Sequence, residues 1–216
     1  MMVIHPEKIK NIIFDFGGVL LDIDIQLTHQ ALNSLFHMSY DTNRLSKELQ
    51  DIFHKFETGH IDSQTFLRSL QVMATQNIPT DHEIIKVWNS MLIGWNPATF
   101  DFLLKLRRHY KIYLLSNINE LHLDWIHEDL RHKHHIIDFE TRFFDKTYYS
   151  HIIGMRKPDH TVFCFVNDDA NLIPEETLYI DDSIDNVKGG ESVGWQSYHH
   201  NPKDDLIKKM SEFILP

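Results

Sequence analysis

Four places along the 216-residue chain carry side chains suited to one chemistry. Asp15 closes the apolar run Ile12-Ile13-Phe14 and is followed by Phe16 and the pair Gly17-Gly18, where the backbone can turn sharply. Ser116 and Asn117 close a second apolar run, KIYLLSN, and Asp181 and Asp182 close a third, TLYIDD. Lys157 lies between them in GMRKPD. A carboxylate fixed at a strand end can be a nucleophile, a metal ligand or both. Three carboxylates at one place repel unless a cation sits among them. An all-oxygen ligand set favours a hard ion, and magnesium when the substrate carries phosphate. Lys157 offers a compact positive charge that can pair with a phosphate and with the attacking carboxylate. The Ser116 hydroxyl and the amides around Asn117 can donate to phosphate oxygens. Together these groups suit in-line transfer of a phosphoryl group to Asp15, after which water cleaves the aspartyl-phosphate. Singly, each has an ordinary structural explanation: a cap, a turn or a solvated lysine. It is their joint placement at strand ends that points to chemistry.

That placement requires a parallel sheet. Residues 12–14, 111–117, 147–150, 177–180 and 196–199 read as strands separated by helical segments. This alternation predicts an α/β fold, a Rossmann-like parallel sheet with helices on both faces and its strand ends gathered on one edge. After the first strand, residues 21–25 (LDIDI) read as an extended flap, with Asp22 and Asp24 alternating with apolar residues. The next seventy or so residues read as helices without a strand. Their apolar stripes are Leu27, Ala31, Leu32, Leu35 and Phe36; then Leu45, Leu49, Ile52, Phe53 and Phe56; then Phe66, Leu67, Leu70 and Met73; and last Ile84, Ile85, Trp88 and Leu92. The expected division is a core of residues 1–21 and 96–216 and a helical insertion of residues 22–95. Asp62 or Ser63 is expected to cap one inserted helix, and Pro202 to start a closing helix.

Bulk properties narrow the partners. A net charge of −10 argues against a general nucleic-acid binder. No apolar run is long enough to span a bilayer, and the opening MMVIHPEKIK lacks a signal-peptide pattern. Cys164 is the only cysteine, which leaves no disulfide framework and no thiolate metal site. The expectation is a cytoplasmic monomer or homodimer acting on a small molecule. Of the 16 histidines, His132, His134 and His135 are the densest group. They are read as a solvated helix end, with no carboxylate at helical ligand spacing beside them.

The motifs resemble those of the haloacid dehalogenase-like hydrolase superfamily over nearly the whole chain. They are FDFGGVL at residues 14–20, LLSN at 114–117, GMRKPD at 154–159 and YIDDSIDN at 179–186. The insertion, with FETGHIDSQTF at residues 56–66, resembles a C1-type helical cap. Within the superfamily the chain is most similar to the bacterial glucose-1-phosphate phosphatase group and to the phosphatase domain of soluble epoxide hydrolases. The resemblance implies a magnesium-dependent phosphatase for a small phosphorylated metabolite. It implies Asp15 as nucleophile and metal ligand, the Gly17 carbonyl and Asp182 as further ligands, and Asp181 as a metal-site residue that either binds the ion directly or supports those that do. It implies Ser116 and Asn117 as the phosphate-binding pair and Lys157 as the motif lysine.

The chain departs from most such phosphatases at Gly17, where an Asp usually protonates the leaving oxygen and later activates water; glycine does neither. An anomeric hydroxyl leaves more easily than a simple alcohol, which favours a sugar-1-phosphate. Asp24, or less readily Asp22, is a candidate substitute acid and base; the alternative for Asp24 is a helix cap. Trp88, Trp95 and residues 56–60 are candidates for facing the substrate. The rival readings are a 2-haloacid dehalogenase and a phosphate-ligand-binding protein without turnover. A phosphoryl-transferring mutase fits less well, since it must move protons on two hydroxyls.

Overall fold

The computed structural model describes residues 4–36, 47–74, 77–212 and 214. Its strands are β1 (Asn11–Phe14), β2 (Leu21–Ile23), β3 (Leu92–Trp95), β4 (Lys111–Ser116), β5 (Lys146–Tyr149), β6 (Thr177–Asp181) and β7 (Gln196–His199). Five of them form one parallel sheet in the order β5-β4-β1-β6-β7. The central strand β1 is apolar because it is covered on both faces. Ile12 and Phe14 face one hydrophobic cluster and Ile13 the other, and all three are fully buried. The register pairs Phe14 with Leu114 on one side and with Ile180 on the other. The residues just beyond each strand therefore emerge side by side on the carboxyl edge of the sheet.

Among the described residues, the insertion's α-helices are α1 (Ile25–Leu35), α2 (Lys47–Glu57), α3 (Ser63–Gln71) and α4 (Asp81–Trp88). Asp62 caps α3 through the Thr65 amide, and Thr80 opens α4 with a reciprocal capping box to Glu83. Phe36, Leu49, Phe56, Phe66, Leu67, Leu70, Ile84 and Trp88 form its own apolar cluster. Leu121 joins that cluster from outside the insertion. Leu45, placed on a stripe above, lies outside the described residues. Leu27 is exposed; α1 turns Thr28 inward instead, and its hydroxyl donates to the Trp88 carbonyl at 2.9 Å.

The remaining helices are α5 (Ala98–Leu106), α6 (Glu120–His134), α7 (Phe139–Phe143), α8 (Ser150–Ile153), α9 (His160–Asp169), α10 (Ile184–Ser192) and α11 (Leu206–Ser211). Side chains of α5, α6, α7 and α11 join the cluster around Ile12 and Phe14, and those of α9 join the cluster around Ile13. No helix among the described residues is long and apolar enough to cross a membrane.

Two expectations need correction here. The insertion does contain a strand: β3 pairs antiparallel with the flap β2, with Leu21 opposite Trp95 and Ile23 opposite Leu92. Leu92 thus belongs to a ribbon and not to a helical face, because its hydrogen-bonding partner lies some seventy residues earlier. The closing helix starts at Leu206, not at Pro202, because Asp205 supplies the cap by accepting from the Lys208 amide at 3.0 Å.

Candidate active site

Asp15 continues the sheet by one residue, since its amide donates to the Ile180 carbonyl at 2.9 Å. The chain then turns at Gly17 and Gly18, and the Gly18 amide donates to Leu21 at 2.9 Å. The carboxylate of Asp15 accepts from the Phe16 amide at 2.6 Å and pairs with the Lys157 ammonium at 2.8 Å. Burial, with the charge of Asp181 added, pushes Asp15 up to about 7 against the pull of Lys157.

Lys157 is only 1% exposed. Its three donors go to Asp15 at 2.8 Å, Asp181 at 2.7 Å and the Leu115 carbonyl at 2.8 Å. Burial pulls the ammonium down, but the two carboxylates outweigh it and keep it charged. Asn117 fixes the loop that presents this lysine. Its side-chain oxygen accepts from the Lys157 amide at 2.9 Å and its nitrogen donates to the Lys157 carbonyl at 2.8 Å. The side chain of Asn117 is therefore a clasp, which leaves the backbone around it to meet a phosphate. Ser116 is buried, and its hydroxyl has no hydrogen-bond partner among the described residues.

The two adjacent aspartates differ sharply. Asp181 is fully buried and accepts from Lys157, the Tyr179 hydroxyl, the Ser183 amide at 2.8 Å and Asn186 at 3.0 Å. Burial raises it, but Lys157 and these donors hold it below the usual carboxylate range. Asp182 is half-buried, and among the described residues no other group donates to its carboxylate. Burial and the neighbouring charge of Asp181 push it up. Oxygens of Asp15, Asp181 and Asp182 all lie within 4.8 Å of one another.

These residues fit a hard divalent cation. Two of the three carboxylates are raised by burial and by the charge of Asp181, a cost that such an ion would offset, and Asp182 is free to bind it. Gly18 has φ +74°, and a Cβ there would come within 2.9 Å of the Asp182 Cγ. The glycine both permits the turn and leaves room for that carboxylate. The Gly17 carbonyl accepts no backbone hydrogen bond among the described residues.

Asp24 is not brought into this group. It caps α1, accepting from the Gln26 amide at 2.9 Å, and its own amide donates to Met91 at 2.8 Å. The capping alternative is thus the one realised, because the flap ends where α1 begins. Asp22 is exposed on the opposite side of the flap from Ile23. Trp88 and Trp95 do not face the site either. Trp88 is buried in the insertion's cluster, and Trp95 packs on Phe16, Phe100 and Phe139. The turn after α2 sits on α8: Ser150 donates to the Glu57 carbonyl at 2.5 Å, and Arg156 pairs with the Glu57 carboxylate at 2.8 Å. The histidine-rich helix end is solvated, but a carboxylate does stand at helical spacing: Glu128 meets His132 at 2.9 Å, four residues on.

Two residues near the site gave no sequence signal. His122 lies on α6 against the ring of Trp88, and its nitrogens meet the Asn119 side chain at 3.1 Å and the Trp88 carbonyl at 3.3 Å. Ile23 packs directly over Gly17.

Comparison with known proteins points the same way. Residues 9–194 match the profile of the haloacid dehalogenase-like hydrolases. The chain is 34% identical to D-ribitol-5-phosphate phosphatase of Bacteroides thetaiotaomicron, over 95% of this chain and 98% of that protein. It is similar to the structure of a HAD family enzyme of the same bacterium in complex with magnesium and inorganic phosphate. That match has a TM-score of 0.79 and 32% identity, over 91% of this chain and 96% of the other. A HAD-like family hydrolase from Porphyromonas gingivalis superposes with a TM-score of 0.83 at 27% identity, over 95% and 97% of the two chains.

Proposed function

The chain belongs to the haloacid dehalogenase-like hydrolase family, and from that we propose that it is a magnesium-dependent phosphatase for a small phosphorylated sugar or polyol, working through an aspartyl-phosphate on Asp15. The observation that carries this reading is the set of Asp15, Lys157, Asp181 and Asp182 at one edge of the sheet, with three carboxylates in reach of one ion.

Asp15, the Gly17 carbonyl and Asp182 would hold the magnesium. When bound, the ion offsets the charge of the carboxylates and of the phosphate. Asp181 is saturated by its donors, so its part is to fix Lys157 and the turn that carries Asp182. Lys157 pulls Asp15 toward its ionised form, opposing burial, and adds positive charge beside the phosphoryl group. The free Ser116 hydroxyl and the amides around Asn117 receive phosphate oxygens. Asp15 attacks phosphorus, the ester oxygen leaves with the bonding pair, and water then cleaves the aspartyl-phosphate.

Within this class the glycine at position 17 favours a sugar-1-phosphate, whose leaving oxygen needs less help. The relatedness to a ribitol-5-phosphate phosphatase supports the broader class of sugar and polyol phosphates. The carboxylate trio disfavours dehalogenation, which needs no metal.

The test is phosphate release from sugar phosphates, polyol phosphates, nucleotides and p-nitrophenyl phosphate, with magnesium and with EDTA, on wild type and Asp15→Asn. Release that needs magnesium and is lost in Asp15→Asn is expected. Chloride release from a 2-haloacid without magnesium, or tight ligand binding with no release, would overturn the reading.

A further inference from the structure

The position left empty by Gly17 is filled from another part of the chain. A Cβ on Gly17 would lie 2.8 Å from Cδ1 of Ile23 and 3.6 Å from its Cγ1 and Cγ2. Ile23 is the last residue of β2, on the flap between sheet and insertion. Around this contact is a small cavity of about 50 Å³ bordered by Gly17, Ser116 and Asn117 on the phosphate side. Leu21, Ile23, Met91, Leu92 and Ile118 make its other walls apolar.

Apart from the Ser116 hydroxyl, assigned above to a phosphate oxygen, no group lining that cavity has a proton free for the leaving oxygen. His122 lines it, but its two nitrogens are taken by Asn119 and the Trp88 carbonyl, and burial keeps the ring neutral. Lys157 spends its three donors on Asp15, Asp181 and Leu115. Asp22 faces away from the cavity, and Asp24 caps α1.

We propose that Ile23 is a specificity-determining residue: by filling the space beside Gly17 with a hydrocarbon side chain, it denies the leaving oxygen a protein proton donor and confines fast turnover to esters whose leaving oxygen departs as a stabilised anion. This deepens the phosphatase reading and rests on it. In the step concerned, an Asp15 oxygen bonds to phosphorus and the phosphorus–ester bond breaks. The leaving oxygen keeps the electron pair and takes its proton from water. Anomeric and aryl phosphates tolerate this; primary alkyl phosphates do so slowly. Glycine at 17 and isoleucine at 23 therefore act as a pair. An acid at 17 needs the Ile23 methyl moved aside and a polar group admitted among apolar walls.

The experiment measures kcat/KM for p-nitrophenyl phosphate, phenyl phosphate, an aldose 1-phosphate and ribitol 5-phosphate. The enzymes are wild type, Ile23→Ala, Gly17→Asp and the double variant, each checked for folding by thermal melting. Wild type is expected to prefer the aryl and anomeric esters over ribitol 5-phosphate by at least 100-fold. The double variant is expected to raise the ratio of alkyl to aryl turnover at least tenfold above that of Gly17→Asp alone. Equal wild-type rates across the four esters would overturn the inference and leave the phosphatase reading intact. So would a Gly17→Asp single variant that gains as much as the double. The wild-type series stands even if Gly17→Asp fails to fold. No magnesium-dependent release from any ester would overturn the phosphatase reading, and this inference with it.

Discussion

His122 is the residue whose protonation the fold opposes most clearly outside the site. It is 8% exposed, stacked on Trp88 with ring centroids 5.2 Å apart, and bonded to Asn119 and to the Trp88 carbonyl. Burial outweighs the bond to Trp88 and lowers it from 6.5 to about 4. The unfolded chain therefore binds a proton at this residue between those values and the folded chain does not, so stability rises with pH through that window and is lost on acidification. From pH 8 to pH 5 an ordinary imidazole passes about one and a half pH units below its midpoint, which corresponds to about 2 kcal/mol. For a chain of this length that is a fall of roughly 4–8 °C in Tm. The assay is urea unfolding of wild type and His122→Gln at both pH values. The loss between pH 8 and pH 5 should be smaller in the variant by about 2 kcal/mol, because the other histidines contribute equally to both proteins. An equal loss in the two proteins would refute the assignment of a neutral, acid-sensitive His122.

Lys157→Met leaves the carboxylates of Asp15 and Asp181 facing each other without a cation; it should abolish phosphate release and cost about 3–5 kcal/mol in chemical unfolding. Gly18→Ala places a Cβ against Asp182 at a positive φ. It should lower stability by about 1 kcal/mol and shift the magnesium midpoint for activity upward at least tenfold, read by titrating the metal. Magnesium at a hundred times its Kd should stabilise the wild-type fold by about 2.7 kcal/mol in a thermal melt, and EDTA should reverse it. Asp15→Asn should lose much of that stabilisation.

Strand ends were the legible part of this chain. Ile12-Ile13-Phe14, Leu114-Leu115 and Leu178-Tyr179-Ile180 are apolar because they are buried on both faces, and a polar residue ends each run where the strand leaves the sheet. What escaped a linear reading depends on partners far away in the chain. β3 is four residues with no clear alternation, and only its pairing with β2 makes it a strand. The clasp of the Asn117 side chain on Lys157 was not legible, because its partner lies forty residues further on. Asp24 had two roles open to it, and the start of α1 decided between them. Ile23 was simply one apolar residue in a flap until Gly17 was seen beneath it.

The β2–β3 ribbon ties the incoming and outgoing ends of the insertion to each other, with the Asp24–Met91 bond extending the tie. The ribbon thus fixes where the insertion leaves and rejoins the core, while Glu57 against α8 and Trp88 against α6 hold its helices to the rest of the chain. Helices there can be lengthened, shortened or exchanged without altering where the chain leaves β1 or rejoins α5. Ile23 sits at the foot of that ribbon, so its contact with Gly17 is set by the tie and not by the helices beyond it.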